Sequence, residues 1–283
     1  MSSWNRITPG VQNIRNKSTF VTVILKGGLG NRILQVLAAQ HFAEKTGRTF
    51  VIDNAHIHSN PHENPEDTMA QLTSIFPTLT YYNGPFQGWK LITEEEYMMF
   101  QYQTDIFKKF PGQNIILDGY FFNSRYFPKQ IPQLNIDKKF YSTFFLHIRM
   151  GDYKNSVHDI NFTTYHRNSI TTAIKNDTST KFLVFSDEPE KADEYLKSLD
   201  LPQFKYSFST AKKSLDVLKE MGSCVGGICA NSSLSWLGAF FQKPRGSIFM
   251  PNVWMKNISR NQFNDFYPLW ATVVETKPPT LNY

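Results

Sequence analysis

The most confining feature of this 283-residue chain is a regular alternation of short β-rich apolar runs with segments of helical periodicity. Such alternation buries strands only if helices cover a parallel sheet. Phe20 to Leu25 reads as a strand, Gly27-Gly28-Leu29-Gly30 as a turn, and Asn31 to Lys45 as a helix closed by Gly47. Ile33, Leu34, Leu37 and Phe42 fall on that helix's buried side, and Thr49 to Asp53 reads as the next strand. His56 to Asp67 is rich in His, Asn and Pro and reads as a loop; Asn114 to Leu117 is another strand. A polar stretch with Pro128, Pro132, Asn135, Asp137 and Lys138 follows, and the alternation then restarts. Strands are predicted over 143–148, 181–185, 204–208 and 224–230, and helices over 164–175, 188–199, 215–221 and from 231 through Phe241. The expected fold is α/β: two Rossmann-like domains, residues 18–140 and 141–283, facing each other across a cleft.

Composition removes several classes of function. Hydrophobic residues make up 41% and charged residues 19%, enough for a core and unlike a disordered chain. No apolar run approaches the roughly 18 residues of a membrane span, and Met1 to Lys17 lacks the apolar stretch of a signal peptide. The expectation is a cytoplasmic protein without a membrane span. Cys224 and Cys229 are the only cysteines, which excludes a disulfide framework and suggests two buried thiols. Net charge is +6, which favours anionic ligands, but without a dense Lys/Arg run nucleic acid is not the expected partner.

Four constellations carry chemistry. Gly28 and Gly30 lie where a strand passes into a helix, a natural anion site because free N–H groups point outward there. Asp53 follows the next strand, as a ribose-binding acid would, but Ile33 stands at the third position of G-x-G-x-x-G, against an oxidoreductase. His147-Ile148-Arg149-Met150-Gly151-Asp152-Tyr153 closes a strand; period-two alternation puts His147 and Arg149 on one side and Ile148 on the other. A guanidinium beyond a strand's carboxyl end can bind diphosphate oxygens bidentately. Ser186-Asp187-Glu188-Pro189 suits either a helix cap or a ligand contact. Ala230-Asn231-Ser232-Ser233 joins a strand to a helix and offers hydroxyls with free N–H groups, a second phosphate cradle. His56, His58 and His62 share a polar loop and no D-x-D triplet occurs, so no metal site is expected.

Taken together and in order, these motifs resemble the α-1,2-fucosyltransferases of glycosyltransferase family 11, over about residues 21–254. The G-G-L-G-N turn is at Gly27 to Asn31, and Gly119 to Phe127 is similar to the family's G-Y-F-Q-S-x-x-Y-F. His147 to Tyr153 resembles H-x-R-R-G-D-Y, and Phe185 to Glu188 resembles F-S-D-D. Asp216 to Cys224 resembles D-x-x-x-M-x-x-C, and Ala230 to Ala239 resembles A-N-S-S-F-S-W-W-G-A. The resemblance implies a GT-B fold, GDP-fucose as co-substrate, a glycan acceptor, inversion at the anomeric carbon and no metal or other cofactor. It places Arg149 on the β-phosphate, His147 and Asp216 on guanine, and Ser232 and Ser233 at the diphosphate. Asp152, Asp187 and Asn231 complete the donor side, and Asn31 faces the reaction centre.

Departures are Met150 for the second motif arginine, Arg32 for the Gln after G-N, Leu237 for a Trp, and Glu188 for an Asp. By alternation Met150 points away from the ligand, and Arg32 is expected near the acceptor. The proton acceptor stays open between His158 and Asp159, which lie beyond Tyr153, with Asn31 only orienting the acceptor. Two alternatives to fucosyl transfer are a same-fold transferase using another nucleotide sugar and a non-catalytic GDP-sugar binder.

Overall fold

The computed structural model describes residues 19–53, 55–58, 65–95, 98–137, 139–242, 246–258, 260–263 and 266–277. The fold is α/β, built on two all-parallel sheets. The first contains β1 (Phe20–Val23), β2 (Thr49–Phe50), β3 (Lys90–Thr93) and β4 (Ile115–Asp118), in the order β2-β1-β4-β3. The second contains β5 (Thr143–Ile148), β6 (Lys181–Ser186), β7 (Lys205–Phe208), β8 (Gly226–Ile228), β9 (Ile248–Pro251) and β10 (Ala271–Val274). Its order is β10-β9-β8-β5-β6-β7, with the reversal of direction beside β5. Ligands of such sheets bind beyond the carboxyl ends of strands at this reversal.

Helix α1 (Leu29–Thr46) follows β1 and stops at Gly47, whose φ of 69° provides the left-handed cap expected from the sequence. Helix α2 (Pro65–Ile75) begins inside the stretch expected to be loop, and its last turns bury Leu72 and Ile75. The second half carries α3 (Thr163–Asn176), α4 (Pro189–Ser198), α5 (Ser214–Ser223) and α6 (Ser233–Phe240). Strands β3, β9 and β10 are additions to the sequence reading; β10 carries two exposed residues, Thr272 and Val273, so no clean alternation marks it.

Alternation along β5 divides the packing. Phe145 enters the larger core, while Leu146 and Ile148 enter a smaller one with Tyr165, Ile170 and Val184. The larger core crosses from one half to the other. Phe122, between β4 and β5, stands edge-on to Trp254 at 5.2 Å and to Phe266 at 4.7 Å, and Phe100 meets Phe266 at 5.1 Å. Edge-to-face aromatic packing of this kind is worth roughly 0.5–1.5 kcal/mol per pair beyond area burial. Cys224 and Cys229 are both buried free thiols, as expected. No helix among the described residues is long and apolar enough to cross a membrane.

The two halves also meet at helix ends. A Cβ on Gly30 would lie 2.6 Å from both the Leu234 nitrogen and the Ser233 Oγ. The amino terminus of α1 therefore abuts that of α6, and only glycine permits so close an approach.

Candidate active site

Arg149 is the hub of the second half. It lies one residue past β5, with its side chain 22% exposed, and donates from Nη2 to Asp152 Oδ1 at 2.5 Å. Its Nε forms an ion pair with Asp187 Oδ2 at 3.4 Å, and its guanidinium lies over the Tyr153 ring at 5.0 Å. Tyr153 carries the arrangement on to α6: its hydroxyl donates to the Asn231 carbonyl at 3.1 Å and is also hydrogen-bonded to the Ser232 side chain. The motif arginine, the glycine-facing end of α6 and its serines are thus brought to one place.

Asp187 neither caps a helix nor stands ready for a ligand. Its two oxygens accept from the Met150 and Gly151 nitrogens at 3.0 and 3.1 Å, closing the turn after β5. Burial works to raise its pKa, but Arg149 and the two N–H groups more than offset it and the carboxyl is held below its usual value. Glu188 takes the N-cap position of α4 with Pro189 at the first helical turn.

Asn231 is buried and braces the loop after β5, its Nδ2 donating to the His158 and Trp254 carbonyls at 3.0 and 2.9 Å. Ser232 occupies the N-cap of α6 without a side-chain cap bond, so the capping alternative does not describe its hydroxyl. Asp216 is exposed in the first turn of α5. His158 stacks on Tyr153 with centroids 4.9 Å apart, and burial lowers its pKa. Asp159 is exposed, accepts from the Asn155 nitrogen at 3.0 Å and lies 3.9 Å from Lys256 Nζ.

A cavity of about 440 Å³ opens beyond the carboxyl end of β5, bordered by His147, Arg149, His158, His166, Lys191 and Tyr195. His147 and His166 are 3% and 2% exposed. Burial lowers both to a pKa of about 3, with Arg149 adding to the effect at His147, so both are neutral at pH 7. His166 Nδ1 lies 2.8 Å from the Tyr195 hydroxyl. The sequence reading missed His166 and Tyr195, because a His and a Tyr on two amphipathic helices carry no motif. Met150 borders the same cavity while packing on the smaller core, so it is not turned wholly away as alternation suggested.

In the first half, Gly28 is the exposed N-cap of α1, and Gly27, at φ 76°, makes the turn before it. Asn31 is half-buried in the first turn of α1. Arg32 corrects an expectation. It is 0% exposed, and donates to the Gly27 carbonyl at 2.8 Å, the His58 carbonyl at 2.7 Å and the Thr68 hydroxyl. It is a brace beneath the glycine turn and does not face an acceptor. Asp53 is also buried, receiving the Thr22 hydroxyl at 3.3 Å and His56, so it does not present itself to a ribose. His62 lies outside the described residues, and among those described no group of three or more His, Cys, Asp or Glu could hold a metal ion.

Glu94, just past β3, accepts from the Tyr120 and Phe121 nitrogens at 2.7 and 2.9 Å. Burial raises its pKa to about 7 from an ordinary 4.5, against the two N–H groups and Lys26, which lower it. Between those values the folded chain holds a proton that the unfolded chain has lost, so stability falls as pH rises from 4.5 to 7. Glu94→Gln is expected to remove that slope. The gap between variant and wild type should grow across the window by at most about 3 kcal/mol, the side chain being partly solvated. Urea denaturation at pH 4.5, 6 and 8 measures it; a gap independent of pH rules it out.

No protein-family model and no curated protein matches the sequence. In structure the chain is similar to POFUT1 in complex with GDP, at 12% identity over 83% of this chain and 99% of that one, with a TM-score of 0.49. It is also similar to the fucosyltransferase NodZ from Bradyrhizobium, at 14% identity over 80% and 93% of the two chains, with a TM-score of 0.47. A third similarity is to the ADP-heptose lps heptosyltransferase II of E. coli, at 11% identity over 90% of each chain, with a TM-score of 0.48.

Proposed function

We propose that this chain is a glycosyltransferase of the α-1,2-fucosyltransferase type of family 11, moving L-fucose from GDP-fucose to a glycan hydroxyl of a galactose-type acceptor. The observation that carries the reading is the convergence of Arg149, Tyr153 and the amino terminus of α6 beyond β5, facing the amino terminus of α1 at Gly30. Two positive helix ends and a guanidinium suit a diphosphate leaving group. Residues 18–140 would present the acceptor and residues 141–283 the donor. The acceptor oxygen bonds to C1 of fucose as the C1–O bond to the β-phosphate breaks, inverting C1 without a metal. Charge builds on the departing GDP, and that charge is what Arg149, Ser232 and Ser233 stabilise. The β-phosphate takes the place of Asp152 on the guanidinium, while Asp187 keeps the turn closed. His147 and Asp216 serve the guanine, and Asn31 orients the acceptor.

The test is thermal stabilisation by GDP, UDP and ADP with and without Mg²⁺, followed by GDP release from GDP-fucose with lactose. A ligand at 100 times its Kd stabilises by about 2.7 kcal/mol. GDP alone should do so, with no need for Mg²⁺. Stabilisation only by UDP or ADP species overturns the donor assignment, and GDP binding without turnover on any acceptor overturns the enzyme.

A further inference from the structure

We propose that His56, oriented by Asp53, is the base that takes the proton of the acceptor hydroxyl; this rests on the transferase reading above. His56 Nδ1 lies 2.9 and 3.0 Å from the two oxygens of Asp53. That carboxylate is 4% exposed and also accepts from the His56 backbone nitrogen at 3.0 Å. An ionised carboxylate only accepts, so the imidazole proton sits on Nδ1 and the lone pair on Nε2. The Phe86 ring stands edge-on to the imidazole at 4.5 Å and fixes its plane. A buried acid behind Nδ1, a locked ring and a basic Nε2 together make a general base.

The backbone places this pair on the reacting edge. Residues 56–58 are paired to the end of β1, with Leu25 donating to the His56 carbonyl at 2.7 Å and His58 donating to the Leu25 carbonyl at 2.8 Å. Two residues after Leu25 the glycine turn begins, and Arg32 ties the His58 carbonyl to the Gly27 carbonyl. That turn abuts the α6 amino terminus where the diphosphate is proposed to lie. The dyad therefore belongs to the acceptor half, beside the segment that leads from β1 into the glycine turn. His158 is less suited, lying against Tyr153 with its carbonyl held by Asn231. In the step itself, the acceptor O–H bond breaks to His56 Nε2 as the new O–C1 bond forms. GDP leaves with the electron pair of the old C1–O bond, and Asp53 balances the imidazolium.

The experiment is the pH–rate profile of GDP release from GDP-fucose, with lactose and with water alone as acceptor, for wild type, His56→Gln, Asp53→Asn and His158→Gln. Asp53 is the charged group hydrogen-bonded to the ring; Phe86, packed on the ring, and Thr22, bonded to Asp53, are neutral. His56→Gln is expected to lose roughly 10²- to 10⁴-fold in rate and its acidic limb, while GDP still stabilises it. Asp53→Asn removes the group that orients the ring and should slow the reaction as well, while GDP still stabilises the protein. Because Asp53 is buried and its variant can fail to fold, wild type is also treated with diethyl pyrocarbonate, and inactivation should track modification of His56. A near wild-type rate in His56→Gln, an unchanged acidic limb, or loss of the limb in His158→Gln instead overturns the proposal. Wild type that neither binds GDP nor releases it from GDP-fucose refutes the transferase reading itself, and with it any role for a base.

Discussion

Arg149→Ala is expected to slow GDP release from GDP-fucose by on the order of 10²- to 10³-fold, with the thermal midpoint close to that of wild type. The rate effect follows from where charge appears. A diphosphate gains negative charge as it departs, and a fixed guanidinium aimed at it stabilises the transition state more than the ground state. The small stability effect follows from the partners left behind. Asp152 is exposed, and Asp187 keeps its hydrogen bonds from the Met150 and Gly151 nitrogens, so neither carboxylate is left buried and unpaired. Arg149→Lys restores a point charge but not the planar fork held between two carboxylates and the Tyr153 face, and should recover only part of the rate. Single-turnover kinetics with saturating donor, set beside the GDP affinity of each variant, separates binding from chemistry. A rate within threefold of wild type in Arg149→Ala would remove the arginine from the mechanism.

The sequence made the second half legible because its chemistry is local. A strand, His147 and Arg149 at period two, and a Gly-Asp turn lie within residues 143–152, and the serines Ser232 and Ser233 follow β8 within five residues. Alternation along β5 then predicts which residues reach which core. What stayed hidden is chemistry assembled over long sequence distances. Glu94 is defined by nitrogens 26 and 27 residues away, and His166 gains its partner 29 residues later. Asp187 was legible as a motif residue but its task was not: a local cap and a bond to a neighbouring strand's turn, 36 and 37 residues back, look the same in one dimension. The Asp53–His56 pair lies only three residues apart, yet its significance rests on the burial of Asp53 and on pairing with β1. Short strands such as β8 and β10 were imprecise or missed for the related reason that parallel pairing, not local pattern, defines them.

Arg32→Met should unfold far more readily than wild type, by about 3–5 kcal/mol in urea denaturation. Methionine fills much of the same volume, so the loss isolates hydrogen bonding from packing. The arginine is 0% exposed and donates to the carbonyls of Gly27 and His58 and to the Thr68 hydroxyl. These acceptors belong to three separate segments: the glycine turn, the loop after β2, and α2. Without the guanidinium, the buried Thr68 hydroxyl and the part-buried Gly27 and His58 carbonyls lose this donor, each at roughly 1–3 kcal/mol where water cannot replace it. The damage should concentrate in those segments, with faster hydrogen exchange there than in β5 and β6, which pack elsewhere. Arg32→Gln tests the same point more gently. One amide cannot reach three segments, so it should fall between wild type and Arg32→Met in stability. An Arg32→Met variant within 1 kcal/mol of wild type would show that the glycine turn holds its shape without this brace. That outcome would return Arg32 to the ligand-facing role its position beside Asn31 first suggested.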